Sequence, residues 1–347
     1  MNTKYLNNLY LISFIGLLFS QSSTPIYFDS YVNLGYDSNP LRLSSNEIDY
    51  SQDSNLLLNG ANQISSSVFS FYSKFSYHPK IINNRKTKFA LSMKVNEYFD
   101  HKAKSNASIN FNISQSLGNY ESLLFNYYLK PDFYLREYRD TDIIVNNFLD
   151  IADSLQSAYF SIEKVKIGYQ FPLRNKKEKM KMELINEKQY YDPNFTEFDL
   201  DISGLSVTYT RPNFLLSISN VKAVNSTYLD GFFSTRYMDR GYRQKQFKVS
   251  YKWNLGRKQS LRLFADIYNR KYSSSIYNDN LHRTRKHIDA SYSLSYLFYN
   301  QGLKNKLTFT YRKRKTDSDF NWVADLKTFQ RYYLTYSVYF KKQKMNI

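Results

Sequence analysis

The chain has 347 residues, of which 48 are Lys or Arg and 30 are Asp or Glu, so its formal net charge is +18. It contains no cysteine, which excludes structural disulfides, thiolate metal sites, cysteine nucleophiles and a lipid-modified N-terminal cysteine. The mean hydropathy of -0.58 is that of a polar protein, yet aromatic residues reach 18%, a composition that favours β-strands.

The first 23 residues predict an export signal. A short segment with one lysine precedes the apolar run at 9–19, and the small polar residues "SQSS" follow. An apolar run of this length is too short to cross a bilayer as a helix. We therefore expect a signal peptide over residues 1–23 and a single domain over residues 24–347.

From residue 27 onward the sequence alternates with a period of two. Phe28, Val32, Leu34 and Tyr36 share one face of the first such segment, and Asp29 lies on the other. This pattern predicts strands that have one apolar and one polar face. Fourteen segments show it: 27–36, 62–77, 87–98, 104–115, 120–130, 156–171, 179–190, 198–210, 213–224, 242–254, 259–272, 286–299, 304–314 and 328–340.

Three of these segments have a weaker pattern. In 156–171 the apolar face changes phase between Ile162 and Val165, and in 198–210 it changes near Ser203, where we expect a β-bulge. The third, 213–224, is ambiguous because its apolar residues are partly consecutive. No segment has a helical period, so no helices are predicted.

Apart from the brief connection 99–103, the connections between the segments alternate between longer and shorter lengths. Long strands in an even number, with short turns at one end and longer loops at the other, are typical of a transmembrane β-barrel. We therefore predict an all-β, up-and-down antiparallel barrel of about 14 strands, with periplasmic turns and extracellular loops. The longest loops, 37–61 and 131–155, are expected to decide whether the interior is open.

The last predicted strand, "RYYLTYSVYF" at 331–340, alternates regularly and ends at the aromatic Phe340. It is similar to the terminal strand of bacterial outer-membrane β-barrels, and "KKQKMNI" follows it. The resemblance implies contact with outer-membrane lipid, and recognition by the barrel-assembly machinery through the strand that ends at Phe340. The segment "GYDSN" at 35–39 resembles the first barrel strand of surface-lipoprotein translocators.

The predicted inward faces are rich in basic residues. Rings of Lys or Arg favour anions in a pore. The alternative is a solvated or internally salt-bridged interior without selectivity. The candidate pore-lining residues are Lys88, Lys94, Lys248, Lys252, Arg262, Asp266, Arg270, Lys306, Arg312 and Arg331, and Asp289 is a further counter-charge.

Catalytic and nucleic-acid functions are not predicted. His282 and His287 are expected near Asp279 and Asp289 at the external rim, but the sequence has no HExxH motif, no phosphate-binding glycine loop and no metal-ligand spacing. We expect no enzyme activity, cofactor or metal site. The positive charge is spread along turns and alternating faces, which argues against nucleic-acid binding.

The main functional prediction is a passive channel for small polar or anionic solutes. The alternative is a non-conducting barrel that serves as a translocation or surface-interaction module, with its loops binding a partner. The sequence specifies no oligomeric state.

Overall fold

The computed structural model describes residues 25–53, 55–139, 155–174, 176–192, 195, 198–226, 238–340 and 343–345. The predicted signal peptide lies outside these residues. The described chain forms one antiparallel sheet that closes on itself, because β14 pairs with β1. The predicted 14-stranded barrel is confirmed. Its strands are β1 (Ile26–Asp37), β2 (Ser66–Tyr77), β3 (Thr87–Tyr98), β4 (Asn106–Gly118), β5 (Glu121–Arg139), β6 (Leu155–Pro172), β7 (Lys179–Tyr191), β8 (Leu200–Arg211), β9 (Phe214–Asn225), β10 (Tyr242–Gly256), β11 (Gln259–Tyr272), β12 (Lys286–Asn300), β13 (Leu303–Asp317) and β14 (Phe329–Tyr339).

The barrel closes along a seam that continues past the last long strand. β14 pairs with β1 from Tyr31↔Tyr339 to Asp37↔Tyr333. A short strand, β15 (Gln343–Met345), then pairs with Ile26–Phe28 at the start of β1. The C-terminal segment therefore extends the seam toward the short-turn end and satisfies backbone groups that β14 does not reach.

Two expectations about secondary structure were wrong. The predicted loop 131–155 is partly strand, since β5 continues to Arg139 and β6 begins at Leu155. Two short helices also occur in the loops, α1 (Ser45–Asp53) after β1 and α2 (Asn321–Lys327) before β14. Neither of them, nor any other helix in the described ranges, has the length and apolar character that a bilayer crossing requires.

The connections alternate in length as predicted, except that 99–105, between β3 and β4, is shorter than 78–86, between β2 and β3. At the short-turn end, β4 and β5 are joined at Asn119 and Tyr120, and β12 and β13 at Gln301 and Gly302. All four residues have positive φ. Two-residue loops with both φ values positive match the right-handed twist of antiparallel strands, so these hairpins turn tightly. The opposite, long-loop end carries α1 and α2.

The outer surface of the barrel is apolar. Leu34, Leu184, Leu205 and Ile218 each expose more than half of their surface, at 59%, 61%, 59% and 56%. They lie on four different strands, and similar exposed apolar residues occur on the others. An exposed apolar belt of this extent is the lipid-facing surface of a barrel, where burial in hydrocarbon replaces burial in a core.

The expected bulge at Ser203 is absent. Ser203 keeps regular register with Asn186 of β7 and with Lys222 of β9. The phase change has another cause: Leu200 and Ile202 point inward and pack in a buried apolar cluster with Tyr242 of β10 and Tyr272 of β11. Register shifts occur instead in β5, between Lys130 and Phe133 and between Tyr134 and Arg136.

The phase change in β6 has the same explanation. Ala158 and Phe160 are buried inward against Tyr191 and Phe195, whereas Ile167, lower on the strand, is exposed outward. Toward the long-loop end of β6, the inward positions are therefore apolar because Phe195 and Phe198 of the following loop cover them. Lower on β6 the inward positions are polar.

The loop between β1 and β2 packs into the mouth of the barrel. Leu41, Leu43 and Leu58 are almost fully buried and pack with Tyr134 of β5. Asn39 fixes the turn, because its side-chain amide donates to the carbonyl of Leu43 at 2.8 Å and accepts from the amide of Leu43 at 2.8 Å. This loop narrows the long-loop end of the interior.

Candidate functional site

The interior contains water-accessible space between polar walls. A space of about 590 Å³ lies against β6–β11 and includes Lys166, Lys181, Glu183 and Lys248 in its wall. A second, of about 640 Å³, lies against β2–β7 and includes Lys94, Asn110 and Lys166. Lys164, Lys166 and Glu187 border both spaces, so the two adjoin.

The predicted pore-lining residues fall at three levels along the barrel, as their positions along the strands show. Those near the short turns are Lys88, Lys252, Arg262 and Lys306; those at mid-height are Lys94, Lys248 and Asp266; and those toward the long loops are Arg270, Arg312 and Arg331. Lys94, Lys248, Arg270 and Arg312 border the interior spaces described in this section. The others except Arg331 have the same parity as these residues on their own strands, so they also point inward. Arg331 forms a salt bridge with the buried Asp37. Their role in a pore stays a prediction.

Some interior lysines have carboxylate partners. Lys248 Nζ lies 3.6 Å from Asp266 Oδ2, and Lys181 Nζ lies 2.9 Å from Glu183 Oε1. Lys94 lies within salt-bridge distance of no carboxylate among the residues that the structure describes. Internal salt bridges therefore neutralise some of the interior lysines, and an excess of basic side chains remains.

The strongest concentration of positive charge lies at the long-loop end. There a cavity of about 230 Å³, here called the arginine cavity, is bordered by seven arginines from strands and loops, and by no carboxylate of the described chain. The rest of its wall consists of aromatic, histidine and leucine side chains together with Gln189 and Lys327. The arginines are Arg42, Arg136, Arg240, Arg270, Arg285, Arg312 and Arg314.

Asp289 holds two of these arginines in place. Arg312 donates to both of its carboxylate oxygens, at 2.8 and 2.9 Å, and Arg314 Nε donates to Oδ2 at 2.9 Å. The Tyr268 hydroxyl also donates to Asp289 Oδ2, at 3.0 Å. One buried carboxylate therefore serves two guanidinium groups, so the three charged groups together remain positive.

Aromatic rings support the other arginines. The guanidinium carbon of Arg270 lies 3.7 Å from the centre of the Tyr242 ring, and that of Arg285 lies 3.7 Å from the centre of the Tyr272 ring. Arg240 lies 4.8 Å from the Tyr191 ring centre and donates to the carbonyl of Phe198 at 3.1 Å. Stacking on aromatic faces favours a guanidinium without neutralising its charge.

Arg42 enters the cavity from the loop that packs into the mouth. Burial, and then the charges of Arg312, Arg331 and Arg314, lower its pKa to about 9. The same crowding acts on Lys104, in the loop between β3 and β4, where burial and then Arg42 hold the pKa of the amine well below its usual value. This region therefore contains more basic side chains than carboxylates to neutralise them.

The sequence correctly grouped His282 with Asp279. His282 Nδ1 lies 2.9 Å from Asp279 Oδ1, and the carboxylate also accepts from the Ser274 hydroxyl at 2.8 Å and from the Asp239 amide at 2.9 Å. Burial and the Arg285 charge lower the pKa of His282 to about 3. The pair fixes the loop that carries Arg285.

Several residues of the arginine cavity were not predicted from the sequence. Arg314 shares the inward parity of Arg312 and was therefore recoverable from the strand pattern. Arg42, Arg240 and Arg285 lie in loops, where no periodicity indicates direction. Arg136 was assigned to a loop because the two register shifts in β5 interrupt its alternation.

The closed barrel, its exposed apolar belt and its polar interior together decide the environment of the chain. Closure satisfies the backbone groups that hydrocarbon would leave unpaired, and only closed barrels and helices achieve this in a bilayer. The chain is a transmembrane β-barrel.

The chain matches no protein-family model and no curated protein. Among solved structures, it is similar to OccAB3 of Acinetobacter baumannii, with 9% identity and a TM-score of 0.42 over 92% of this chain and 99% of that one. It is also similar to OccK1 (OpdK) of Pseudomonas aeruginosa, with 9% identity and a TM-score of 0.41 over 92% and 99%. For OprD of the same organism the values are 7% and 0.39 over 92% and 95%. Likenesses of this size concern overall shape and carry nothing about solutes.

Proposed function

We propose that the protein is a passive channel that prefers small anionic solutes. The observation that carries this proposal is the water-accessible interior with a surplus of basic side chains at every level. Fixed positive charges on a narrow, low-dielectric wall raise the local concentration of anions and repel cations. No moving part or energy source is needed for such a bias.

The basic surplus is clearest where two cations face each other. Lys252 and Arg262 are direct register partners on β10 and β11, near the short turns. Neither lies within salt-bridge distance of a carboxylate of the described chain. Like charges in this position are unfavourable for the sheet, so their placement supports a role for the charge itself.

Conductance in a planar bilayer tests the proposal. A salt gradient across the membrane should give a reversal potential of the sign expected for anion preference. The bias should be strongest in dilute electrolyte, because the screening length is about 10 Å at 0.1 M salt and shrinks above it. Conductance with cation preference would contradict the anionic part of the proposal.

Lys252→Gln combined with Arg262→Gln should move the reversal potential toward zero. The matched control is Lys245→Gln combined with Arg243→Gln, because these basic residues on β10 are exposed on the outer side of the strand. Arg312, although it is also a candidate pore-lining residue, is a poorer choice for this test. Its removal would change the partners of Asp289 as well as the charge of the interior.

A non-conducting barrel remains the second candidate, and the packed first loop favours it. Leu41 and Leu43 lie inside the mouth, and Glu47 of α1 forms a salt bridge with Arg136 of β5. If the wild type does not conduct, a variant with residues 40–64 replaced by a short Gly-Ser linker separates two cases. Conductance in that variant alone would mean that the loop closes an otherwise open interior, and silence in both would favour the surface-interaction role.

A further inference from the structure

We infer that the arginine cavity is a binding site for a small oxyanion that carries two or more negative charges. The site is formed where Arg42 of the first loop meets Arg240, Arg270 and Arg285 on the opposite side of the barrel mouth. This inference extends the proposed anion preference. It rests on the proposed channel, which is the route by which the anion would reach the cavity.

The first argument is charge. Of the seven arginines around the cavity, Arg136 is paired with Glu47, and Arg312 and Arg314 share Asp289. The remaining four have no carboxylate within salt-bridge distance among the described residues: Arg42, Arg240, Arg270 and Arg285. Charges gathered in a protein interior without counter-ions are costly. A bound anion supplies the missing charge.

The second argument is the set of buried nitrogen atoms that have no partner. Arg42 Nε, Arg285 Nε and His287 Nε2 are inaccessible and make no hydrogen bond in the part of the chain that the structure describes. The side chains of Arg285 and His287 are only 4% and 3% exposed. An unsatisfied buried polar group costs about 1–3 kcal/mol, so an oxygen-rich ligand that accepts from two of them would be held firmly.

The third argument concerns the class of ligand. The cavity of about 230 Å³ is below the usual range for drug-sized ligands, so it suits a small ion. A single negative charge would leave most of the surplus uncompensated. Guanidinium groups present planar forks that bind carboxylate and phosphate oxygens in pairs. Phosphate and a short dicarboxylate both satisfy these conditions, and their shared chemistry is two or more charges on several oxygens.

The way in which the arginines are held also fits a ligand site. Arg42 lies in a loop, whereas Arg270 and Arg285 are stacked on tyrosines of the barrel wall. The wall arginines are thus oriented before a ligand arrives, and preorganised donors lose less entropy on binding. Arg42 is buried, and it is repelled by Arg312, Arg331 and Arg314; both effects lower its pKa, and an anion beside its guanidinium group relieves the repulsion.

Binding is tested on the full-length protein in detergent, by isothermal titration calorimetry at pH 7 with inorganic phosphate, succinate, acetate and chloride at matched ionic strength. Phosphate, succinate or both should bind with saturation, and acetate and chloride should not. Binding of phosphate alone or of succinate alone identifies which of the two ions the site takes. Equal binding of all four anions, or of none, overturns the inference.

Arg42→Gln and Arg285→Gln should each weaken the binding at least tenfold, and Arg42→Lys should lose less because the charge remains. Arg243→Gln is the control, since Arg243 is exposed on the outer side of β10 at the same end of the barrel. Each variant is first checked for the native shift in electrophoretic mobility. Unchanged affinity in both folded Gln variants would contradict the site.

The two proposals fail separately. Saturable phosphate or succinate binding by a protein that does not conduct would contradict the channel and support the binding site. Anion-selective conductance without such binding would contradict the binding site and support the channel.

Discussion

Arg331 of β14 donates from Nε to Asp37 Oδ1 of β1 at 2.7 Å, and its terminal nitrogen donates to the other carboxylate oxygen. The pair bridges the first and last strands where the barrel closes. Asp37 is fully buried, and it is the negative charge beside Arg331 in a region where Arg42 and Lys104 lie close by. The closure of the barrel thus includes a charge pair that no local sequence pattern reveals.

Asp37→Asn should weaken the closed barrel. The change leaves Arg331 buried without a counter-charge, and breaking a buried pair in this way costs about 3–5 kcal/mol. We expect the temperature at which the folded band converts to the unfolded band on SDS gels to fall clearly. Asp317→Asn, at an exposed position at the end of β13, is the control. An identical transition temperature in Asp37→Asn and the control would show that the pair contributes nothing to closure.

The end of the chain contributes to the seam in two separable ways. Phe340 is 48% exposed on the outer face at the end of the last lipid-facing row, while β15 supplies three residues of pairing to the start of β1. We propose that the assembly machinery recognises the strand ending at Phe340. Phe340→Ser should therefore reduce the amount of inserted protein more than deletion of residues 341–347, which removes the short pairing of β15 with β1. The measure is folded protein in outer-membrane fractions.

Phe340→Tyr is the control, because it keeps an aromatic side chain at that position. An equal loss from Phe340→Ser and from the deletion would assign the assembly role to the tail. A loss with Phe340→Tyr as large as that with Phe340→Ser would remove the requirement for an aromatic ring.

The strands were predictable because lipid and water impose opposite demands on alternate residues. This condition holds along most of segments such as β10 and β12, and both were located to within about two residues. It fails toward the long-loop end of β8 and β6, where the inward residues Leu200 and Phe160 are buried in apolar clusters and do not face water. A bulge was inferred where the environment of one face had changed.

The candidate site was only partly predictable for a related reason. Inward parity located Arg270 and Arg312, but it says nothing about whether a neighbouring strand brings a carboxylate. Asp289 neutralises Arg312 in part, whereas Arg270 meets Tyr242 and Gln244. The loop arginines of the cavity depend on packing between distant segments, for which the sequence has no local signal.

The absence of cysteine allows the orientation of the barrel to be tested by single-cysteine labelling. Asp49→Cys lies on the exposed surface of α1 at the long-loop end, and Arg257→Cys lies in the exposed turn between β10 and β11. If the long loops are extracellular, a membrane-impermeant maleimide should label Asp49→Cys on intact cells. Arg257→Cys should react only after the outer membrane is permeabilised. The reverse pattern would invert the assignment of the two ends.

The buried pair of His282 and Asp279 should make the stability of the barrel depend on pH. Burial, and then the Arg285 charge, hold the pKa of His282 at about 3, against about 6.5 in an unfolded chain. Between these values the unfolded chain binds a proton that the folded barrel does not, so the histidine's contribution is complete above pH 6.5 and is lost as the pH falls toward 3. Burial alone would raise the pKa of Asp279, but its contacts with His282 lower it, and this carboxylate acts in the same direction at lower pH.

The unfolding temperature in detergent should therefore decrease from pH 7 to pH 4, and the unfolding temperature of His282→Gln should decrease less over that interval. Asn280→Gln, at an exposed position of the same loop, should keep the wild-type slope. A His282→Gln slope equal to that of wild type would mean that folding does not lower the pKa of His282.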